Sequence, residues 1–503
     1  MPGSERACRA FEPAPAESGA PSLAEVISAL SFALDLTEGA VPGHALRSCV
    51  LGMRLGLELG LSGDQLADLY PALLLKDVGC SSNAARMCQI IGGGDDRAVK
   101  SGVKLEDWTQ PHKPRLSTLR LLWRNVLPEA GPLERAARIL KIGLTQHGNN
   151  ELMIRLRCDR GASILRKIGM SERTAIAVRS LDEHWDGSGY PERAKGEAIS
   201  PLARVIGVAQ HLDVFAQERG AALAIQVLEE RSGRWFDPET VRAAESLARR
   251  GALWQHCVPD ETRDPAELEQ CVRSAVLDLA PSQNERMTAS DIDLICEAFA
   301  EVVDAKSNFT FKHSMGVTVA ATMIGMAMGL SRERVQLLHR AALLHDLGKL
   351  RVPNSILDKN GRLDPEEWAI MREHPGLTRA ILSQVKQFAE LAHVAGAHHE
   401  KLDGSGYPDG LTAKDLSLES RIIATADVYG ALTEDRPYRA GFRSEEALRI
   451  MERDVPGKLD AECFDAMRLV AETRGTSASA EHTSCTLPFG FAEAQPVTAD
   501  LSR

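Results

Sequence analysis

Little in this sequence points to a membrane or to nucleic acid. No apolar run reaches transmembrane length, and the chain opens without a signal-peptide pattern. Positive charge is not in excess: 59 Lys and Arg face 70 Asp and Glu, a formal net charge of −11, which argues against a large nucleic-acid surface. Cytoplasmic location is the expectation. Ten cysteines are scattered without a CxxC pair, so a zinc ribbon is not indicated and reduced thiols are the simpler reading. Cys80 follows a glycine near a helix end, but no histidine partner is evident and packing is expected. Gly92-Gly93-Gly94 lacks the Gly-Lys-Ser/Thr of a phosphate loop and reads as a turn. Aromatics are few, 5%, and strand-like alternation is scarce.

What the chain has is length, helix-favouring composition and polar residues on apolar runs. Its 503 residues allow two to four domains, rich in Leu, Ala, Arg and Glu. The segment Ala341-Ala342-Leu343-Leu344-His345-Asp346-Leu347-Gly348-Lys349 sets an imidazole beside a carboxylate among apolar neighbours. Burial there demands a compensating partner, and His-Asp is a natural metal-binding pair. The two residues are expected to point about 100° apart on a helix, with Lys349 one turn beyond His345 on the same face.

More metal-type residues surround this pair: His313 upstream, then His374 before Pro375, His398-His399, and Asp427. Imidazole and carboxylate suit a borderline divalent cation. Five histidines and two aspartates exceed one tetrahedral ion and fit two ions sharing a bridging carboxylate. Paired metals are a common device for hydrolysing phosphate esters. His339 and His393 lie among apolar helical residues and read as packed or surface groups.

At these positions the chain resembles the HD-GYP family of metal-dependent phosphohydrolases. The likeness rests on His345-Asp346-Leu347-Gly348-Lys349, Val352-Pro353, Trp368 to His374-Pro375, His398-His399-Glu400 and Asp403-Gly404-Ser405-Gly406-Tyr407-Pro408, between about Ser290 and Glu452. The resemblance implies hydrolysis of cyclic di-GMP to pGpG or GMP by a water activated between two divalent metals, Fe or Mn. It implies one ion on His313, His345, Asp346 and Asp427, and the other on Asp346, His374, His398 and His399. Asp346 would bridge them, and Lys349 would hold a phosphate oxygen. Substrate contacts would come from Gly404, Tyr407, Arg436 and Arg439, the arginines gripping phosphate as forks. Another nucleotide substrate, or a largely inactive regulatory protein, stays open as an alternative.

Two departures from the family pattern matter. Phe309 stands where some members carry a Glu associated with a third metal, so two metals are expected. Gly430 stands where the family usually has an Asp, which predicts looser order around the ligands.

The pattern also recurs within the chain. Asp35 to His44 repeats Asp304 to His313, and Lys76-Asp77-Val78-Gly79-Cys80 repeats the His345 segment, both at an offset of 269. Asp186-Gly187-Ser188-Gly189-Tyr190-Pro191 repeats the Gly-Tyr-Pro loop at an offset of 217, so the first copy holds 269 − 217 = 52 extra residues, expected within Ser81 to Arg157. That copy keeps His44 and Asp77 but has Lys76 for His345, Cys80 for Lys349, Leu181 and Asp182 for His398-His399, and Gln210 for Asp427. The place of His374 falls near Arg157 or Cys158. An ammonium repels a cation and Leu cannot ligate, so the first copy is expected to be inactive, as a sensor, a nucleotide-binding module or a structural half through which a protein partner could act.

The expected organisation is an all-α protein of two tandem HD-type helical bundles. A disordered tail covers 1–22, the degenerate copy 23–250, a connector 251–286, the metal-binding copy 287–474 and a second tail 475–503.

Overall fold

Asp35 and Asp304 account for the spacing that recurs. Asp35 Oδ1 accepts the Ala45 N–H at 3.0 Å. Asp304 accepts the Ser314 N–H at 3.3 Å and the Ser314 hydroxyl at 2.6 Å. Each carboxyl serves an orphan donor in the first turn of the helix that opens on a histidine, His44–Glu58 or His313–Ala327. Burial pushes both carboxyls up to about 7.

The computed structural model describes residues 19–104, 116–258, 264–281, 286–307, 313–435 and 439–477. Phe309, Arg436 and most of the two expected tails lie outside the described residues. Helices dominate, and isolated bridges are the only β pairing among the described residues. The fold is all-α, as the composition indicates. No helix among the described residues is long and apolar enough to cross a membrane.

The halves match helix for helix. Leu23–Glu38 corresponds to Ala289–Asp304, His44–Glu58 to His313–Ala327, Gly63–Leu74 to Arg332–Leu344, Glu172–Arg179 to Ala389–Gly396, and Pro201–Arg219 to Leu418–Thr433. The extra residues of the first half are helical: Ala84–Ile91, Asp96–Lys104 and Leu116–Asn125, leading into the long helix Pro132–Lys167. They bury a small core of their own, Ile91, Val99 and Val126. Gly92 ends its helix at φ 75°, the left-handed conformation that a glycine adopts without strain. The connector carries the helix Pro265–Asp278, which buries Val272 and Val276 against the first half.

One apolar core runs through both bundles, from Ile27 to Val470. The opening helix of each half reaches the other half. Leu23–Glu38 packs on the Leu347–Arg351 turn and on His374–Leu382, while Ala289–Asp304 packs on the Cys80–Asn83 turn and on Pro132–Lys167. Polar links reinforce the contact: Arg160 Nη2 donates to the Glu301 carbonyl at 3.2 Å, and Lys167 Nζ lies 2.6 Å from Glu301 Oε1. The Asn354 N–H donates to the buried Asp96 Oδ1 at 3.1 Å. The chain is thus arranged as an intramolecular pseudo-dimer.

Candidate metal centre

The helix expected to carry the His-Asp pair stops one residue short of it. Arg332–Leu344 ends with His345 as its C-cap, and Leu347–Arg351 continues as a tight 3₁₀ turn. The expected pair of helical faces, with Lys349 a full α-turn beyond His345, is therefore not the geometry found. Lys349 instead reaches back three residues, its Nζ 2.5 Å from Asp346 Oδ2. The turn is clamped to the helix His374–Leu382. Gly348 N–H donates to Thr378 Oγ1 and Thr378 Oγ1 donates to the His345 carbonyl, both at 2.9 Å. A Cβ on Gly348 would come within 2.1 Å of the His374 carbonyl oxygen, so only glycine admits that helix.

All seven residues expected as ligands converge. Asp346 lies between two sets, one oxygen toward each. Its Oδ2 is 3.6 Å from His313 Nε2 and 3.4 Å from His345 Nε2. Its Oδ1 is 3.3 Å from His374 Nε2 and 3.7 Å from His398 Nε2. Asp427 repeats this across the site, with Oδ1 3.2 Å from His313 Nε2 and Oδ2 3.5 Å from His399 Nδ1. The groupings His313, His345, Asp427 and His374, His398, His399 each bring their donor atoms close enough for one ion.

The imidazoles are held from behind. Nδ1 of His345, His374 and His398 each lies 2.7 Å from the backbone carbonyl three residues earlier, Ala342, Met371 and Ala395. An Nδ1–H donated to a carbonyl leaves Nε2 as a lone-pair donor facing the centre. His313 Nδ1 lies 2.8 Å from Glu434 Oε2. Glu434, absent from the sequence expectations, supplies the carboxylate that Gly430 lacks. In the first half the family position is filled, and Asp213 holds His44 Nδ1 at 2.7 Å. The looser order expected from Gly430 is thus offset from one helical turn further on.

Electrostatics fit a cation. His313 Nε2, His345 Nε2 and Asp346 Oδ1 are buried without a hydrogen-bond partner, yet face one another. Burial pushes His399 down to about 3 and His398 well below the usual imidazole range. Burial acts against the charge on Asp346, but His345 and Lys349 outweigh it and hold the carboxyl far below its ordinary value. At His313, burial is overcome by the neighbouring carboxylates of Asp427 and Glu434, which carry it up to about 9. Neutral imidazoles beside ionised carboxylates are the states that coordinate a metal.

The loop residues divide. Tyr407 lies against the His399 ring, centroids 4.8 Å apart, with Arg372 over its face at 4.9 Å and Trp368 edge-on at 6.0 Å. Gly404 sits at φ 77°, and a Cβ there would meet Thr412 Cγ2 at 3.2 Å and the Gly410 carbonyl oxygen at 3.4 Å, inside the loop. The Glu400 carboxylate ties that loop by accepting the N–H groups of Asp409, Gly410 and Leu411. Arg439 departs from its expected part as a phosphate fork. Its guanidinium donates to the carbonyls of Ala431, Leu432 and Ala440 and stacks over Phe442 at 4.6 Å. Those carbonyls include the last turn of Leu418–Thr433, where a cation is favourable. His339 is buried among apolar residues beside Thr322, as its neighbours suggest.

The first half rebuilds the same ground with fewer metal-type residues: the histidine sets are lost, and among the described residues Glu38, Asp77 and Cys80 are the group whose donor atoms still approach one another. A Cβ on Gly79 would come within 2.1 Å of the Arg157 carbonyl oxygen, the same contact as Gly348 with His374, which assigns Arg157 to the His374 place. Lys76 pairs with Asp77, and Arg157 pairs with Asp182. Two cations built into the chain thus sit on the carboxylates.

Comparison with known proteins agrees with this geometry. The HD domain family model matches residues 134–240 and 297–463. The 3'3'-cGAMP-specific phosphodiesterase 3 of Vibrio cholerae is 40% identical over 449 residues, covering 89% of this chain and 94% of that one. The chain belongs to the HD-GYP family. It is a metal-dependent phosphodiesterase, and its relatives act on cyclic dinucleotides. Among them is the response regulator RpfG of Xanthomonas campestris, a cyclic di-GMP phosphodiesterase 32% identical over 50% of this chain and 63% of its own. A crystal structure of a cyclic GMP-AMP specific phosphodiesterase of V. cholerae superposes with a TM-score of 0.61 at 36% identity, covering 90% of this chain and 98% of that one.

Proposed function

We propose that the C-terminal half hydrolyses a cyclic dinucleotide, 3'3'-cGAMP in the first instance, to its linear form. The observation that carries the catalytic reading is Asp346, each of whose oxygens faces a different set of histidines. His313, His345, Asp346 and Asp427 would hold one divalent ion in this reading, and Asp346, His374, His398 and His399 the other. Two such ions, Fe or Mn, would supply Lewis acidity and lower the pKa of a water aimed at phosphorus. Asp346 fixes the separation of the two sets. Lys349 is the cation assigned to a non-bridging phosphate oxygen. Tyr407, with Arg372 and Trp368 behind it, supports His399 and borders the substrate. Gly404 shapes the loop, and Arg439 serves the helix end rather than phosphate.

The choice of 3'3'-cGAMP is supported by the relative of that specificity, which aligns along nearly its whole length, first bundle included. Cyclic di-GMP is the second reading, favoured by relatives of that activity that align over about half of this chain. The degenerate bundle 23–250, the connector 251–286 and the catalytic bundle 287–474 are the units of this reading. The location we assign is cytoplasmic. Initial rates on 3'3'-cGAMP and cyclic di-GMP, with products separated chromatographically, test the proposal. Faster turnover of 3'3'-cGAMP supports it. Preference for cyclic di-GMP selects the second reading, and hydrolysis of neither overturns both.

A further inference from the structure

The first bundle encloses a cavity of about 190 Å³ at the place its partner uses for the metal residues. Arg157, Asp182 and Gln210 line it, in the positions of His374, His399 and Asp427. We infer that this cavity is a second, non-hydrolytic binding site for a purine nucleotide.

The walls suit a base. Trp235 lies between His184, stacked at 4.2 Å with 19° between planes, and the Arg231 guanidinium, 4.3 Å over the ring, and His211 stands edge-on to it at 5.6 Å. Trp185, covered by Arg204 at 5.2 Å, extends the aromatic side. Rings held in place by such packing line the cavity with a preformed aromatic wall at little entropic cost to a planar ligand.

The polar groups suit a phosphate. Arg157 pairs with Asp182 through Nη2 and meets the Cys80 sulfur with Nη1 at 3.9 Å, while its Nε is shielded without a hydrogen-bond partner. Lys100 Nζ lies 3.5 Å from Glu38 and 3.8 Å from Asp96 and makes no hydrogen bond. Asn83 Oδ1 is a shielded, unbonded acceptor, suited to a base N–H rather than to phosphate. Buried donors with unused capacity are costly unless a ligand meets them.

The cavity's carboxylates are already engaged. Asp182 pairs with Arg157 and Glu38 with Lys100. Glu183 accepts the N–H groups of Glu192 and Ala194, and Asp237 accepts those of Glu239 and the Thr240 hydroxyl. Hydrolysis is not expected here, because Lys76 and Arg157 neutralise the carboxylates that a metal would need.

This inference stands apart from the substrate of the C-terminal half, and its test is built to be read without turnover. The full chain carrying His345→Ala is placed in equilibrium dialysis with GMP, AMP, guanosine, 3'3'-cGAMP and cyclic di-GMP, each up to about 1 mM. One equivalent of a phosphate-bearing ligand should bind, with guanosine bound at least about tenfold more weakly, as expected for one lost charge-assisted contact. The monophosphate and cyclic arms separate a mononucleotide ligand from a cyclic one. Adding Arg157→Met should weaken binding at least about tenfold. Gly207→Leu is the second variant: Gly207 lines the cavity, and an added Cβ meets only the Leu181 carbonyl at 3.7 Å, so the helix accepts it while the cavity fills. Absence of binding, equal binding of guanosine, or binding unchanged by both substitutions overturns the inference.

Discussion

Glu434 Oε2 lies 2.8 Å from His313 Nδ1, on the far side of the imidazole from Asp427. In the other bundle Asp213 makes the same contact with His44 from one helical turn earlier. The carboxylate that orients the first histidine has therefore moved along the helix in one half and stayed in the other. A Cβ on Gly430 would stand 3.7 Å from Glu434 Oε1 and 3.3 Å from Val317 Cγ2, so glycine leaves the room that the longer side chain uses.

Glu434→Ala should therefore lower metal affinity and turnover by about 10–100-fold, the usual cost of removing a group that orients a ligand. Gly430→Asp in the same chain should recover part of that loss, because it returns the carboxylate to the Asp213 position. Metal titration with turnover on matched samples checks this. Unchanged affinity in Glu434→Ala would remove Glu434 from the site.

Asp35 gives a pH prediction in the other half. Burial pushes its carboxyl up to about 7, above the unfolded value of 3.8. The native state thus holds a proton that the unfolded chain has lost, and stability falls as pH rises between those two values. Asp35→Asn keeps an acceptor for the Ala45 N–H but cannot ionise. Relative to wild type, the variant should gain stability between about pH 4 and pH 7, by up to about 4 kcal/mol. Urea unfolding across that range reads the difference, and a flat difference contradicts the buried-acid assignment.

Gly348→Ala should destabilise the catalytic bundle by about 1–3 kcal/mol, the cost of forcing backbone apart in a packed core. The added Cβ meets the His374 carbonyl oxygen, so turnover should fall as well. Gly79→Ala meets the matching Arg157 carbonyl and should destabilise by a similar amount while sparing metal content. Thermal melts and metal analysis on both variants check the pair.

The sequence displayed much of this because metal chemistry restricts residue types. His345-Asp346, His374, His398-His399 and Asp427 are recognisable without neighbours, and the repeat of Asp-Gly-Ser-Gly-Tyr-Pro exposes the second bundle. Glu434 was hidden because a carboxylate just past a helix end has no mark of its own in sequence. The end of Arg332–Leu344 was hidden for a related reason: its stop is set by the clamp of Thr378 on Gly348, a contact thirty residues away. Arg439 looked like a phosphate fork because a guanidinium serves a helix terminus and a phosphate equally well. Arg157 could be assigned only when Gly79 was seen against its carbonyl.

Metal content and turnover measured on the same samples test the central claim most directly. The purified chain, loaded anaerobically with iron or manganese, is compared with His345→Ala and Asp346→Ala. The account predicts about two equivalents of metal per chain, hydrolysis of a cyclic dinucleotide, and loss of both in each variant. Metal and hydrolysis retained in either variant would contradict it.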